Sequence, residues 1–235
     1  MGAVMLVLLA MTFVTREVAV EGRAHRYQVA LPAAPRNPGD APIVLFLHGA
    51  GERGNDNVAQ TTAGLGPVLK ARGAQAIVVF PQCPEGESWL GEGRRIAMAA
   101  LEATLRELGE RRVVLTGMSM GGAGALLLAT EHPRRFAKIL AACPWVRTPP
   151  RLAGEHPDTP FTYADVAKST AGIPLWLFHG EADALVPVQE SRNLYAARLA
   201  IEGPRGETCF TELKGVGHGA WDAAYAQGLD WLVER

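Results

Sequence analysis

Gly117-Met118-Ser119-Met120-Gly121 stands between Arg112-Val113-Val114-Leu115-Thr116 and Gly122-Ala123-Gly124-Ala125-Leu126-Leu127-Leu128-Ala129-Thr130. The first flank is short and β-branched and reads as a buried strand. The second is small and apolar and reads as a packed helix. A serine at such a junction, with glycine two residues away on each side, has the pattern of a nucleophile elbow. The turn forces the serine into a strained backbone, and the glycines let neighbouring backbone pass without a Cβ clash. Its hydroxyl then projects from the carboxyl edge of a sheet.

The pattern outside the elbow fits that placement. Thr15–Glu21 and His25–Leu31 flank Gly22-Arg23 and read as a β-hairpin, and Pro32–Pro42 reads as a loop. Apolar runs at Ile43–Leu47, Ala76–Phe80, Val113–Thr116, Ala137–Ala142 and Leu175–Phe178, with Thr208–Leu213, predict further strands. Between them, helical periodicity covers Leu65–Arg72, Arg94–Leu108, Met120–Glu131, Gln189–Ile201 and Ala220–Val233. Strands alternating with helices imply an α/β fold, a mainly parallel sheet with helices on both faces. Pro144–Gly172 breaks the rhythm and reads as a small lid or cap insertion.

Composition bounds the function. The chain has 235 residues, 48% hydrophobic and 20% charged, with a net charge of −1. One α/β domain from about residue 14 fits that length. Near-neutral charge and scattered Lys and Arg argue against nucleic acid as a partner. The doublets Arg94-Arg95, Arg111-Arg112 and Arg134-Arg135 fall near helix ends, where they complement termini rather than grip phosphate. Three cysteines, Cys83, Cys143 and Cys209, have no C-x-x-C spacing and predict free thiols, with neither a zinc site nor a disulfide framework. Residues 1–13 are apolar but too short to span a bilayer. They lack the charged start and cleavage site of a signal peptide and read as a signal remnant or a start-site artefact. Compartment, cytoplasmic or secreted, and oligomeric state stay open.

A serine hydroxyl needs a base within hydrogen-bond reach and a third group to orient that base. His132 falls at a helix C-terminus, His156 in the proline-rich insertion, where exposure is expected, and His179 at the end of a buried strand as a core residue. His218 differs, lying in the glycine-flanked loop Lys214–Trp221 after the last strand. It is the predicted base. In this architecture the order is nucleophile, acid, histidine, which selects Asp183 after the penultimate strand. Glu181 is the rival and reads as stabilising the turn. An oxyanion needs two backbone N–H donors: Met120 follows the nucleophile, and Leu47-His48-Gly49-Ala50-Gly51 supplies Ala50, with Gly51 the alternative. His48 ends a buried strand and reads as structural. Trp89, Trp145 and Trp221, with Gly51, are candidate pocket walls, each with core packing as the alternative.

With these residues in place, the chain resembles the α/β-hydrolase superfamily. It is most similar to the compact carboxylesterase and "predicted peptidase" group allied to phospholipase/carboxylesterases and polyhydroxybutyrate-depolymerase-type esterases. The resemblance rests on Leu45–Gly54, Pro81-Gln82-Cys83-Pro84, the elbow, His179–Asp183 with Val186-Pro187, and Gly217-His218. It implies Ser119, Asp183 and His218 as a triad without metal or organic cofactor, acting on a small-molecule carboxylic ester. A feruloyl- or acetyl-type polysaccharide esterase, a serine peptidase, or a non-catalytic binding protein of the same fold are the alternatives. Gly219-Ala220 departs from the polar pair that relatives often carry before the tryptophan, which bears on the pocket wall near Trp221.

Overall fold

Ile43–Leu47, wholly apolar and buried along its length, is β3, near the middle of an eight-stranded sheet. The computed structural model describes residues 11–33, 39, 41–202 and 207–234. The remaining strands are β1 (Met11–Val20), β2 (Arg23–Pro32), β4 (Ile77–Pro81), β5 (Val113–Met118), β6 (Ile139–Ala142), β7 (Leu175–Gly180) and β8 (Thr208–Leu213). The helices are α1 (Leu65–Arg72), α2 (Glu92–Leu108), α3 (Met120–Glu131), α4 (Tyr163–Ser169), α5 (Gln189–Glu202) and α6 (Trp221–Val233). Strand order is β1-β2-β4-β3-β5-β6-β7-β8. The β1/β2 and β2/β4 pairs are antiparallel and the others parallel.

Alternation along β3 divides the core. Leu45 and Leu47 face Ala97 and Ala100 of α2, Leu126 of α3, Val166 of α4 and Leu194 of α5 in one layer. Val44 and Phe46 face Leu65 and Leu69 of α1 and Ala224 and Leu229 of α6 in the other. Both faces are thus covered, which explains the unbroken apolar strands.

The sequence reading is corrected in places. β1 begins at Met11, not Thr15, with Met11 opposite Pro32 and the Phe13 ring 5.9 Å from that of Phe80. An edge strand with one buried face needs only alternate apolar residues, so its start was lost in the apolar run before it. Residues 1–10 and most of the proline loop lie outside the described residues. The insertion after β6 contains α4, whose signal is local: Thr162 accepts the Asp165 N–H while Asp165 accepts the Thr162 N–H, a reciprocal cap. Arg111 and Arg112 do sit on the closing carbonyls of α2 and α6, at Leu108 and Val233. Arg94 instead pairs with Glu131 at 3.2 Å, and Arg95 pairs with Glu21. Cys83, Cys143 and Cys209 are free thiols. Among the described residues, no helix is long and apolar enough to cross a membrane.

Candidate active site

Ser119 occupies the turn from β5 to α3 with φ 54° and ψ −118°, a left-handed backbone that side chains seldom adopt. What holds it there is the close approach of elements on either side. A Cβ on Gly117 would come 2.1 Å from the Gly121 carbonyl oxygen, and one on Gly121 would come 1.9 Å from that of Leu47. Both glycines are therefore required by contact, as the motif suggested.

All parallel strands end at one rim, and the loops after β7 and β8 meet there. Ala182 N–H donates to Val216 O at 2.9 Å, and Gly215 N–H to the Glu181 carboxylate at 3.0 Å, which binds the two loops together. Glu181 is thus the turn-stabilising group and Asp183 the inward one. His218 places Nε2 2.8 Å from Ser119 Oγ and Nδ1 2.7 Å from Asp183 Oδ2. With Nδ1–H donated to the carboxylate, Nε2 is free to accept the serine proton. The three residues singled out in the sequence are therefore in contact.

Asp183 is satisfied on both oxygens: Oδ1 accepts the Leu185 and Val186 N–H groups, each at 2.9 Å. Burial works against its charge, but the bonds with His179, His218 and Val186 outweigh it and hold the carboxyl well below the usual range. His179 is a core residue, as expected, with Nδ1 2.7 Å from Ser191 Oγ and Nε2 2.9 Å from Val186 O. It also lies 3.4 Å from Asp183 Oδ2, so it backs the acid, a contact that its strand position did not reveal. Cys143 sits beneath His218 with its Sγ 3.3 Å from that residue's carbonyl oxygen, and burial pushes its thiol up to about 12. Cys143, His179 and Asp183 offer ligand atoms within 4.8 Å of one another. Both His179 nitrogens are already engaged and the thiol keeps its proton, so this donor set suits a hydrogen-bonded support rather than a cation.

The loop after β3 abuts the elbow: a Cβ on Gly49 would lie 3.7 Å from Ser119 Cβ. Ala50 opens a 3-10 turn, Ala50–Glu52, and Met120 opens α3, where the first N–H groups have no acceptor within the helix. Gly51 is exposed. His48 is structural: its Nε2 accepts the Cys83 N–H at 2.9 Å, and its Nδ1 lies 2.6 Å from Gly49 O.

The tryptophans separate. Trp221 sets its ring edge-on to His218, centroids 5.2 Å apart. Trp89 is corrected from pocket wall to core: it is fully buried, and its indole N–H donates to His48 O at 2.8 Å. Trp145 is buried against a small apolar recess shared with Ala123, Leu127, Phe161 and Val166. His156, expected to be exposed, is 5% exposed and packs on Trp145 at 5.4 Å. Burial first, and Arg53 second, lower its pKa. Arg53, which the motif reading left without a role, reaches Met120 Sδ at 3.3 Å and the His156 ring at 3.4 Å.

Comparison with known proteins agrees with this picture. The family model described as "Putative esterase" matches residues 97–192. "Putative esterase NocK" of Nocardia uniformis subsp. tsuyamanensis is 33% identical over 189 residues, 75% of this chain and 50% of that protein. The chain spans about half the length of the curated relatives it matches. Among solved structures, that of a thermostable esterase superposes with TM-score 0.72 at 27% identity, covering 94% of this chain and 62% of that one. FphF, a fluorophosphonate-binding serine hydrolase of Staphylococcus aureus, superposes with TM-score 0.71 at 15% identity, covering 96% of this chain and 100% of that one. The chain is an α/β-hydrolase by fold, and its likenesses in sequence are to esterases.

Proposed function

We propose that this protein is a serine esterase that hydrolyses short-chain or soluble carboxylic esters through an acyl-enzyme on Ser119. The observation that carries the reading is the unbroken relay from Ser119 Oγ to His218 Nε2 at 2.8 Å and from His218 Nδ1 to Asp183 Oδ2 at 2.7 Å. A hydroxyl alone is a weak nucleophile, and such a relay removes its proton as it attacks.

In the first step Ser119 Oγ bonds to the ester carbonyl carbon while its proton passes to His218 Nε2. Asp183 stays ionised and stabilises the imidazolium. The backbone amides of Ala50 and Met120 receive the oxyanion. Collapse breaks the bond to the alcohol oxygen, which leaves with the proton from His218. Water then gives up a proton to His218 as its oxygen bonds to the acyl carbon; the bond to Ser119 Oγ breaks, His218 returns the proton to that oxygen, and the acid leaves. An alcohol leaves more readily than an amine, which favours esters over peptides. Trp221, edge-on to the imidazole, forms a wall of the approach.

The test is Ser119→Ala with p-nitrophenyl acetate and butyrate, alongside fluorophosphonate labelling. The reading requires loss of turnover to background and of label in the variant. Hydrolysis at the wild-type rate by Ser119→Ala would refute it.

A further inference from the structure

Arg53 brings a guanidinium beside the elbow with no carboxylate paired to it among the described residues. Its Nη2 lies 3.3 Å from Sδ of Met120, the residue after the nucleophile, and 3.4 Å from each ring nitrogen of His156. Equal distances to both nitrogens put Nη2 off the line of either lone pair, so neither contact is a well-directed hydrogen bond. Nε is buried and has no partner among the described residues. The ion pairs among those residues engage other arginines, with no carboxylate on Arg53. Its neighbour Glu52 sets Oε2 toward Gly49 instead, 3.1 Å from where a Cβ there would stand. Burial raises that carboxyl's pKa.

A second unsatisfied donor lies in the same cluster. The Trp145 indole Nε1 is buried with no partner among the described residues, and its ring packs on His156, the residue that Arg53 touches. Buried donors left unpaired are costly, more so when charged. His156 is displaced toward its neutral form, first by burial and then by Arg53. Arg53 as a residue is only half-buried.

We infer that Arg53 seats an anionic group of the substrate, a carboxylate a few bonds from the scissile carbonyl, with the buried His156 and Trp145 packed behind the guanidinium. The favoured substrate class is then the half-ester of a dicarboxylic acid or an ester of a hydroxy acid. This rests on the esterase reading above and narrows it.

The test compares length-matched pairs: mono-p-nitrophenyl glutarate against p-nitrophenyl valerate for the acyl side, and 4-butyryloxybenzoate against phenyl butyrate for the alcohol side. Wild type is expected to favour the anionic member by kcat/KM on one arm. Arg53→Gln should shrink that ratio by about 10- to 100-fold, mostly through KM, as loss of a charge-assisted hydrogen bond does. Arg53→Lys should restore part of it. A separate readout omits turnover: glutarate should raise the melting temperature of Ser119→Ala, and the shift should vanish in Ser119→Ala/Arg53→Gln. If no ester is hydrolysed, the esterase reading fails and the glutarate shift still decides the subsite. If Arg53→Gln does not fold, the wild-type ratios and the glutarate shift decide. Ratios near one on both arms without a glutarate shift, or a ratio that survives Arg53→Gln, would overturn the inference.

Discussion

Replacing His48 by glutamine should flatten the acid limb of the protein's stability curve. The imidazole is fully buried, takes the Cys83 N–H on Nε2, and lies against Gly49 O through Nδ1. Burial is the main cause of a pKa lowered to about 4. The Gly49 contact opposes the shift, and the charge of Arg53 adds to it. The folded value thus lies below the unfolded one, so the unfolded chain holds more protons between the two. The stability contributed is present in full above the unfolded value and is lost as pH falls toward the folded one. A drop from 6.5 to about 4 amounts to ~3 kcal/mol at the limit, of which ~2 kcal/mol falls between pH 7 and pH 5. Glutamine carries no titrating proton, so whatever else it costs is constant across that window. His156 shifts in the same direction but is common to both proteins, and Asp183, whose pKa is lowered from 3.8, titrates below the window. Urea unfolding followed by the fluorescence of the five tryptophans, at pH 7, 6 and 5, gives the difference directly. The wild-type advantage should narrow by ~2 kcal/mol from pH 7 to pH 5. Parallel curves would refute the assignment of His48 as a buried neutral strut.

Two further outcomes follow from the geometry. Asp183→Asn keeps the shape but removes the charge that fixes the His218 tautomer, so kcat on a p-nitrophenyl ester should fall by about 10⁴-fold with little change in KM; a loss under tenfold would contradict the relay. Gly124→Ala would set a Cβ 2.3 Å from that of Trp89, which is pinned to His48 O, so urea titration should show a loss of about 1–3 kcal/mol; wild-type stability would mean that the helix and Trp89 are free to part.

What could be read from the sequence was what local chemistry dictates. The elbow needs only a strand leading into a pentapeptide with a serine and two glycines that backbone contacts require, and the bounds of its strand and helix were recovered to within two positions. Asp183 and His218 followed because loop positions after successive strands share one rim. The residues misread are those whose surroundings come from distant chain. His156 lies in a proline-rich stretch that reads as exposed, yet Trp145 and Arg53 bury it. Trp89 had equal claims to pocket and core, and the choice was made by Gly124, whose missing side chain admits it. Arg53 follows an H-G-x-G turn like any polar loop residue. Its unbalanced charge appears only once the acids are known to lie elsewhere.

The rim also explains why the support beneath His218 takes the form it does. Ser119 leaves β5, while the base comes from the loop after β8, three strands away, about 14 Å at the usual spacing. A histidine side chain cannot cover that distance, so the loop itself must fold back over the ends of β7 and β6. Gly180 permits the crossing at β7: a Cβ there would meet Gly217 O at 2.2 Å. Cys143, at the end of β6 with φ 47°, meets the returning loop from below through His218 O. Adjacent pairing of β7 and β8, with Gly180 opposite Leu213, starts the two loops side by side. Asp183 and His218 are therefore held together by contacts between their own two loops. The contact from His218 Nε2 to Ser119 Oγ is then set by backbone that Gly180 and Cys143 allow to pass.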